Sequence, residues 1–368
     1  MIKGFDVMEA EISVKNSSRV LKNITRQSHN KPGAKSARSL GFQDHQFNIK
    51  QISELLGVSR AAIYQLEKSN AIKGQEVVSG TSTKKMFSWD DIAVIVDRIK
   101  NKAVKPRDNK VKVFANLKGG VGKSSLASQF AMRASAMGLK TLLIDLDAQA
   151  HATLALGIEV NDSCPTILNC MIGKGEDKMS IEEVIQPITP FLSLIAASLS
   201  LSTLEAKLHT ENRRVEKLQL QLAKIRDQWD LIVIDTNPSA SILNINALLA
   251  ADELCVVCAT DFLSVTGLKQ LFEIIKDLQE DFQNFGPSVR VIPNLFDVRE
   301  AIAQESLGVL RQSYREILTN TVVRKNVDLK EAQKDAQAVW LYNRKSPAAE
   351  DIIALTDELI REDTSDDN

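Results

Sequence analysis

The apolar residues of the chain follow two spacings, and the change from one to the other divides the sequence into two parts. Before about residue 100 they recur every three or four positions, as at Ile49, Ile52 and Leu56, which is typical of an amphipathic helix. From residue 111 onward, short apolar runs alternate with helical patterns. This alternation predicts an α/β fold with a mostly parallel, doubly wound sheet, preceded by a mainly helical region.

The first apolar run, Val111–Ala115, leads into the glycine-rich stretch Lys118–Ser125, whose sequence is KGGVGKSS. A helical pattern follows from Leu126, so the order is strand, loop and helix. Glycines let the backbone N–H groups turn towards an anion, and the start of the helix adds partial positive charge. Lys123 is expected to reach the terminal phosphates of a nucleotide, and the Ser124 hydroxyl is expected to bind Mg²⁺.

Two later apolar runs end in carboxylates. Thr141–Asp145 is followed closely by Asp147, and Asp230–Asp235 is followed by a turn that contains proline. In a parallel sheet, ligands bind at the carboxyl ends of the strands. Acids there are costly as core residues but useful beside Mg²⁺ and a water nucleophile. The sequence therefore predicts that phosphate, metal and attacking water meet at one edge of the sheet.

The glycine-rich loop departs from the usual G-x-x-x-x-G-K-[ST] pattern, because Leu117 stands where the first glycine is expected and Lys118 is an additional lysine. This combination resembles the deviant Walker A motif of the ParA/MinD family of P-loop ATPases. The resemblance implies a homodimer that binds ATP and Mg²⁺, with Lys118 of each subunit reaching the nucleotide of the other. It also places a later strand end, at Asn294, near the adenine. The residues implied to bind the nucleotide are Lys118, Gly119, Gly120, Val121, Gly122, Lys123, Ser124, Ser125 and Asn294.

The acidic strand ends resemble two further elements of that family. Residues 145–149 are similar to D-x-D-P-Q, with Ala148 in the place of proline. Residues 235–239 are similar to the Walker B element D-x-P-P-S, with Asn237 in the place of the first proline. By this resemblance Asp147 orients or activates the attacking water. The implied metal residues are Ser124, Asp145 and Asp235, and the implied catalytic residues are Lys118, Lys123 and Asp147.

The N-terminal part contains a candidate DNA-binding motif. Within residues 46–73, Gly57 is expected to end one helix and Ser59 to cap the next. Residues 77–87 are expected to form a small hairpin, and another helix begins near Trp89. This order resembles the winged helix-turn-helix of the larger plasmid-type ParA proteins, and a helical hairpin used only for packing or dimerisation is the alternative. The residues implied to contact DNA are Ser59, Arg60, Tyr64 and Gln65.

Charge is unevenly distributed along the 368 residues. Residues 1–110 contain 20 Lys and Arg against 11 Asp and Glu, whereas the remainder contains 26 against 36. The basic N-terminal third favours a polyanionic partner, with a solvated basic face as the alternative. We expect an N-terminal helix and linker over residues 1–45, a winged helix-turn-helix domain over 46–105 and an ATPase domain over 106–368.

Two regions of the C-terminal half add further expectations. Residues 199–229 are predicted to form one long helix, because leucines recur there at helical spacing. Residues 322–332 resemble the family segment I-P-R-N-V-x-L-x-E-A, and basic residues in this neighbourhood bind DNA without sequence preference in relatives. The candidates are Arg299, Arg324, Lys325, Arg344 and Lys345, and solvation alone is the alternative role for each.

Several classes of protein are disfavoured by the sequence. No apolar run reaches the roughly 18 residues that span a bilayer, and the N-terminus lacks the apolar core of a signal peptide. Cys255 and Cys258 lie in an apolar run that is predicted to be a buried strand, where residues three apart point to opposite faces. We therefore expect no membrane partner and no metal–thiolate site, and a cytoplasmic, nucleoid-associated location.

Together these features predict an ATPase that partitions plasmid or chromosomal DNA, with slow intrinsic hydrolysis. By resemblance, the ATP-bound dimer binds nonspecific DNA, and a ParB-type centromere-binding protein stimulates the hydrolysis that releases it. The helix-turn-helix motif would also bind operator DNA for autoregulation. Two alternatives stay open: a transcription regulator that uses ATP as a conformational ligand, and a positioner of protein cargo.

Overall fold

The computed structural model describes residues 41–79, 82–99, 110–161, 163–172 and 178–361. The strands are β1 (Gln75–Ser79), β2 (Ser82–Met86), β3 (Lys110–Ala115), β4 (Thr141–Asp145), β5 (Gln186–Thr189), β6 (Leu192–Ile195), β7 (Leu231–Asp235), β8 (Glu253–Ala259) and β9 (Ser288–Asn294). The helices are α1 (Ile49–Leu56), α2 (Arg60–Lys68), α3 (Trp89–Ile99), α4 (Lys123–Ala136), α5 (His151–Ala155), α6 (Ile167–Met171), α7 (Ser200–Leu208), α8 (Lys217–Leu222), α9 (Ile242–Leu249), α10 (Phe262–Asp281), α11 (Ala301–Ser313), α12 (Val327–Lys334), α13 (Val339–Tyr342) and α14 (Pro347–Arg361). The helix and linker expected over residues 1–45 lie almost entirely outside the described residues.

Seven strands form the central sheet, in the order β5-β6-β4-β7-β3-β8-β9. Every neighbouring pair is parallel except β5 and β6 at one edge. The strands β4, β7 and β8 are buried along their whole length, because helices cover both faces of the sheet. The prediction of a mostly parallel, doubly wound α/β fold is therefore confirmed.

Alternate residues of each buried strand supply two separate hydrophobic cores. In β3, Val111 and Val113 belong to one core, whereas Phe114 belongs to the other. The helix α4 joins the core that contains Phe114, and α9 and α10 join the opposite one. This arrangement leaves the loop between β3 and α4 at the carboxyl edge of the sheet.

The region 41–99 consists of two helices, a hairpin and a third helix. The side chains of Asn48 and Gln51 accept each other's backbone N–H at 3.0 and 2.9 Å, and this capping box starts α1. The helix ends at Gly57, which has a left-handed φ of 68°. Ser59 caps α2 by accepting a backbone N–H at 3.2 Å. The strands β1 and β2 pair antiparallel. The assignment of this region as a DNA-binding domain stays a prediction.

Phe42 attaches this region to the rest of the chain. Its N–H donates to the Ala336 carbonyl at 2.8 Å, and its own carbonyl accepts from the Trp89 indole at 2.9 Å. The Phe42 ring lies edge-on to Trp340, with centroids 6.4 Å apart. All described residues belong to one compact unit. The domain boundary expected near residue 105 lies outside the described residues and stays a prediction.

The single long helix predicted over residues 199–229 is wrong. The structure has α7 and α8 there, separated by turns. At the break, Arg213 takes a left-handed φ of 52° and pairs with Glu216. The neighbouring Thr210 and Asn212 have low helix propensity, so the leucine spacing on either side does not continue across the turn.

The described part of the chain lacks two kinds of feature, a membrane-spanning helix and a cluster of metal-binding side chains. No helix there is long and apolar enough to cross a membrane. The described residues contain no group of three or more His, Cys, Asp or Glu side chains arranged to hold a metal. Cys255 and Cys258 lie buried in β8, as the sequence predicts.

Candidate functional site

Three parallel strands end side by side and bring the predicted site residues together. The strand β3 leads into the phosphate loop, residues 118–125, whereas β4 ends at Asp145 and β7 at Asp235. Asp145 and Asp235 are direct partners across their two strands. A cavity of about 570 Å³ lies at these strand ends. Its lining residues are Gly119, Gly120, Gly122, Lys123, Ser124, Ser125, Asp147, Gln149, His151, Leu154, Ala155, Pro238, Gln333 and Lys334.

Lys123, the first residue of α4, lies inside the phosphate loop. It is 6% exposed, and its Nζ donates to the Lys118 carbonyl at 3.3 Å. Burial lowers the pKa of the Lys123 ammonium, whereas the carboxylates of Asp235 and Asp147 act in the opposite direction. A desolvated lysine with only one long contact is suited to exchange that carbonyl for a phosphate oxygen.

The second lysine of the loop, Lys118, is held within its own chain. Its Nζ lies 2.6 Å from Oδ1 of Asp261, the residue that caps α10. Burial alone would raise the pKa of Asp261, but hydrogen bonds from Lys118 and Ser264 outweigh it and lower that pKa. Both partners are about one-third exposed or more, so the ion pair is easily exchanged for another.

Asp145 is fully buried, and both of its carboxylate oxygens already accept hydrogen bonds. Oδ1 accepts the Asp147 N–H at 3.0 Å, and Oδ2 accepts the backbone N–H and the hydroxyl of Thr153, each at 2.8 Å. Burial nevertheless raises the pKa of Asp145 to about 6. These bonds hold the turn that carries Asp147, so Asp145 supports the site from behind. Its predicted role in the metal shell stays a prediction.

Asp235 is equally buried, but no described residue donates a hydrogen bond of ordinary geometry to either of its oxygens. Burial and then the neighbouring Asp145 raise the pKa of Asp235, whereas the Ser124 hydroxyl and Lys123 favour its ionised form. A buried carboxylate without donors is costly unless a cation approaches it. Asp235 and Ser124 are therefore the residues that would hold a Mg²⁺ ion, whose oxygen-ligand preference they fit.

Asp147 lies on the wall of the same cavity and is partly exposed. Its Oδ1 accepts the Gln149 N–H at 2.9 Å, and its own N–H is fixed by Asp145. A positioned carboxylate that borders an open cavity can orient a water molecule towards a phosphate held by the loop. The position agrees with the predicted catalytic role, which stays a prediction.

Asn294 lies behind the phosphate loop. The side chain is 1% exposed, its Nδ2 donates to the Val121 carbonyl at 2.7 Å, and its Oδ1 has no partner among the described residues. Gly122 has a φ of +91°, and a Cβ at that position would overlap the Asn294 amide nitrogen. Asn294 therefore supports the shape of the loop, and its contact with a base stays a prediction.

Several cavity residues were not predicted from the sequence. Gln149 and His151 follow the acidic end of β4, and Gln333 and Lys334 come from the end of α12. The Gln333 side-chain oxygen accepts a hydrogen bond from the Ser125 hydroxyl at 3.1 Å. Gln149 ends the D-x-D-P-Q-like element and was recognisable on that ground. Nothing local marks Gln333, which lies 208 positions from Ser125.

Most of the basic residues predicted to bind nonspecific DNA form ion pairs in this structure. The pairs are Arg299 with Asp297, Arg324 with Asp351 and Glu350, Lys325 with Glu300, and Arg344 with Glu54. Hydrogen bonds from Arg299 lower the pKa of Asp297. Hydrogen bonds to Asp351 raise the pKa of Arg324, in spite of partial burial. Lys345 is exposed.

The four residues predicted to contact DNA from the second helix lie at the start or on the surface of α2. Ser59 is the cap of that helix, and Tyr64 is 55% exposed. Arg60 and Gln65 are also exposed. The structure thus brings these four residues together on one helix, away from the nucleotide cavity lining, and their contact with DNA stays a prediction.

A family model and several known proteins are similar in sequence to this chain. A family model described as an AAA domain matches residues 109–285. The chain is 33% identical over 315 residues to the cell division protein PomZ of Myxococcus xanthus, covering 85% of this chain and 92% of that protein. It is 30% identical over 255 residues to the chromosome partitioning protein ParA of the same species, covering 68% of this chain and 88% of that protein.

Solved structures share the fold. One described as a partition protein has a TM-score of 0.64 at 18% identity and covers 97% of this chain and 99% of that chain. Cobyrinic acid a,c-diamide synthase from Mycobacterium smegmatis, with a bound ATP analogue and magnesium, has a TM-score of 0.59 at 24% identity and covers 70% of this chain and 96% of that one. The structures establish the fold, and the sequence relatives establish the family. The chain therefore belongs to the ParA/MinD family of partition ATPases.

Proposed function

We propose that this ATPase partitions DNA by cycling between an ATP-bound homodimer on DNA and a released form. The observation that carries the proposal is a cavity lined by Lys123, Ser124 and Asp147 together. Asp235 ends the neighbouring strand β7, and the second lysine, Lys118, begins the same phosphate loop. A phosphate loop alone would fit many nucleotide-binding proteins. The additional Lys118 and a partly exposed acid on the same cavity support a hydrolytic cycle linked to dimerisation.

In the proposed cycle, Lys123 binds the terminal phosphates within its own subunit, and Ser124 and Asp235 hold Mg²⁺. The bound Mg²⁺ supplies positive charge to the phosphate oxygens. Lys118 leaves Asp261 and reaches the nucleotide of the partner subunit, so ATP joins two subunits. Asp147 orients the attacking water. Phosphoryl transfer depends mainly on positioning and charge, so turnover is slow until a partner completes the site.

DNA binding in this proposal uses two surfaces. The exposed residues of α2, Ser59, Arg60, Tyr64 and Gln65, are suited to a groove of operator DNA. Nonspecific contacts would use Arg299, Arg324, Lys325, Arg344 and Lys345. Arg299, Arg324, Lys325 and Arg344 form ion pairs with acidic side chains. Each of them can therefore bind DNA only if a phosphate group replaces its acidic partner. Lys345, which is exposed, requires no such exchange.

The relatives support two candidates for the cargo and one for the stimulating partner. The ParA relative of Myxococcus xanthus is a chromosome partitioning protein, which supports DNA as cargo and a ParB-type protein as the stimulating partner. PomZ, which matches over more of this chain, is a cell division protein, and this supports the positioning of a protein cargo as a second candidate. In both cases the proposed location is the cytoplasm, on the nucleoid.

The proposal is tested by DNA binding in three nucleotide states. Fluorescence anisotropy would be measured on random-sequence DNA and on the region upstream of the gene, without nucleotide, with ADP and with ATP. We expect binding to random DNA only with ATP and Mg²⁺. Operator binding would appear as a preference for the upstream region in the ADP state.

Lys123→Ala is the control, because it removes the phosphate contact and should abolish ATP-dependent binding. Upstream binding that is indifferent to nucleotide, without any ATP-dependent binding to random DNA, would instead support the regulator. ATP-dependent binding to random DNA with no upstream preference would keep the partition cycle and remove the operator role from α2.

A further inference from the structure

A short segment reaches from the nucleotide cavity to the N-terminal helical region. We call residues 333–344 the bridging segment; it contains the end of α12, a turn, α13 and the two residues after it. At its first end, Gln333 and Lys334 form part of the cavity wall, and Gln333 accepts the Ser125 hydroxyl at 3.1 Å. This end therefore contacts both the phosphate loop and whatever fills the cavity.

The middle of the bridging segment is hydrogen-bonded to one side chain of α4. Gln129 is fully buried, its Nε2 donates to the Gln337 carbonyl at 3.1 Å, and its Oε1 accepts the Val339 N–H at 2.8 Å. The amide thus spans the turn between α12 and α13. These two buried hydrogen bonds hold the middle of the segment against α4.

The far side of the bridging segment holds the N-terminal region. The Ala336 carbonyl accepts the Phe42 N–H at 2.8 Å, and Trp340 packs against the Phe42 ring. Arg344 forms an ion pair with Glu54 of α1. The segment is therefore in contact with the nucleotide cavity at one end and with α1 at the other.

A groove separates part of α1 from the bridging segment, and Glu54 and Arg344 at its edge are exposed. A cavity of about 230 Å³ lies there, lined by Gln51 and Glu54 on one side and by Trp340 and Arg344 on the other. Two buried donors at this cavity, Nε of Arg133 and Nε1 of Trp340, have no hydrogen-bond partner among the described residues. This space leaves room for α1 to move relative to the bridging segment.

We infer that Gln333 is a positioning residue that transmits occupancy of the nucleotide cavity to the N-terminal region through the bridging segment. A ligand shifts a conformational equilibrium only if its binding free energy differs between the two conformations. Gln333 lines the nucleotide cavity, where a bound nucleotide can contact it in one conformation and not in the other. The coupling is reciprocal, so a partner bound to α1 or α2 changes nucleotide affinity by the same factor. The inference rests on the nucleotide site and is independent of whether that partner is DNA.

The test is hydrogen exchange of the full chain with and without saturating AMPPNP and Mg²⁺. In the unaltered protein we expect nucleotide to change the exchange rate of the α1 amides about fivefold or more, the lower end of typical coupling. In Gln333→Ala this nucleotide-induced change should disappear while the cavity is still saturated. The matched control is Gln304→Ala, because Gln304 is an exposed glutamine of α11 whose side chain donates to the local Val298 carbonyl and does not line the nucleotide cavity.

Calorimetric titration with AMPPNP tests the nucleotide site separately and sets the concentration for saturation. Identical α1 exchange with and without nucleotide in the unaltered protein would overturn the inference. So would a full response in saturated Gln333→Ala. If Gln304→Ala also abolishes the nucleotide-induced change in α1 exchange, the loss is not specific to Gln333. That result would also count against the inference. Failure of AMPPNP binding itself would count against the nucleotide site and the proposed function.

Discussion

Asp235 is the residue at which folding and function conflict most clearly. It is buried beside Asp145, and no described residue donates a hydrogen bond of ordinary geometry to its oxygens. An uncompensated buried charge commonly costs several kcal/mol. A purely structural core would replace such an acid with an apolar residue. The retained carboxylate is therefore best explained by a cation that arrives with the nucleotide, as in the proposed Mg²⁺ site.

Gly122 and Asn294 give a residue-scale prediction. Gly122→Ala should weaken ATP binding for two reasons: the left-handed φ strains alanine by about 1–2 kcal/mol, and the new methyl overlaps the Asn294 amide. Asn294→Ala removes the overlap and also the bond to the Val121 carbonyl. We therefore expect Gly122→Ala to lose more affinity in the native background than in the Asn294→Ala background. Calorimetric titration of the four proteins with ATP and Mg²⁺ measures the difference.

Equal effects of Gly122→Ala in both backgrounds would mean that backbone strain alone controls the loop. In that case Asn294 does not limit the space at position 122. The conservative variant Asn294→Asp serves as a further comparison, because it keeps the size of the side chain but cannot donate to the Val121 carbonyl.

The sequence predicted the residues that lie next to one another along the chain and missed those that meet through the fold. The phosphate loop, Asp145, Asp147 and Asp235 are recognisable because each follows a short apolar strand within a few positions. The bonds from Lys118 to Asp261, from Asn294 to Val121 and from Ser125 to Gln333 join residues 143, 173 and 208 positions apart. No local spacing encodes such contacts, since they depend on the order of strands in the sheet.

Element boundaries show the same limit. The helix predicted over residues 199–229 relied on leucine spacing, yet α7 and α8 are separated by turns. Local propensity at the break outweighed the periodic pattern on either side. By contrast, the strands β4, β7 and β8 consist mostly of short apolar runs bounded by polar residues, a pattern that leaves fewer alternatives. The sheet order itself could not be read from the sequence.

Arg324 connects the segment after β9 to the start of α14, and this gives an element-scale prediction. Its guanidinium bonds Asp351 at 2.7 Å and Glu350 at 3.1 Å, whereas neighbouring Lys325 has one exposed pair. We expect Arg324→Ala to lower the free energy of unfolding by about 1–2 kcal/mol, because Asp351 is largely buried. Lys325→Ala should change it by less than about 0.5 kcal/mol. Urea unfolding of both variants provides the measurement.

The same two variants distinguish a structural arginine from a DNA contact. If Lys325 binds DNA, Lys325→Ala weakens ATP-dependent binding to random DNA while stability stays unchanged, and the salt dependence of binding falls. An Arg324→Ala protein that is as stable as the native one but binds random DNA more weakly would contradict the structural role given to Arg324.

At the scale of the whole molecule, the proposed cycle depends on dimerisation of two chains. The structure keeps Lys118 on Asp261 of its own chain, and dimerisation in the proposed cycle requires that lysine to move to the nucleotide of the partner subunit. The pair is partly exposed, so it contributes only about 0–1 kcal/mol, less than the roughly 1.5–3 kcal/mol of a charged hydrogen bond to phosphate. Exchange of partners is therefore favourable once the nucleotide is bound.

Lys118→Ala and Asp261→Asn test this exchange as a matched pair. With AMPPNP and Mg²⁺, Lys118→Ala should bind nucleotide but sediment as a monomer, because the contact across the interface is lost. Asparagine can still cap α10, so Asp261→Asn removes the restraint on Lys118 without removing the helix cap. We expect it to dimerise at up to about thirtyfold lower protein concentration, because the dimer releases two such pairs, worth up to about 1 kcal/mol each. Sedimentation velocity over a concentration series measures the dimerisation of both variants. If Lys118→Ala dimerises normally, Lys118 does not contribute to the interface. If Asp261→Asn dimerises more weakly than the native protein, Asp261 itself belongs to the interface.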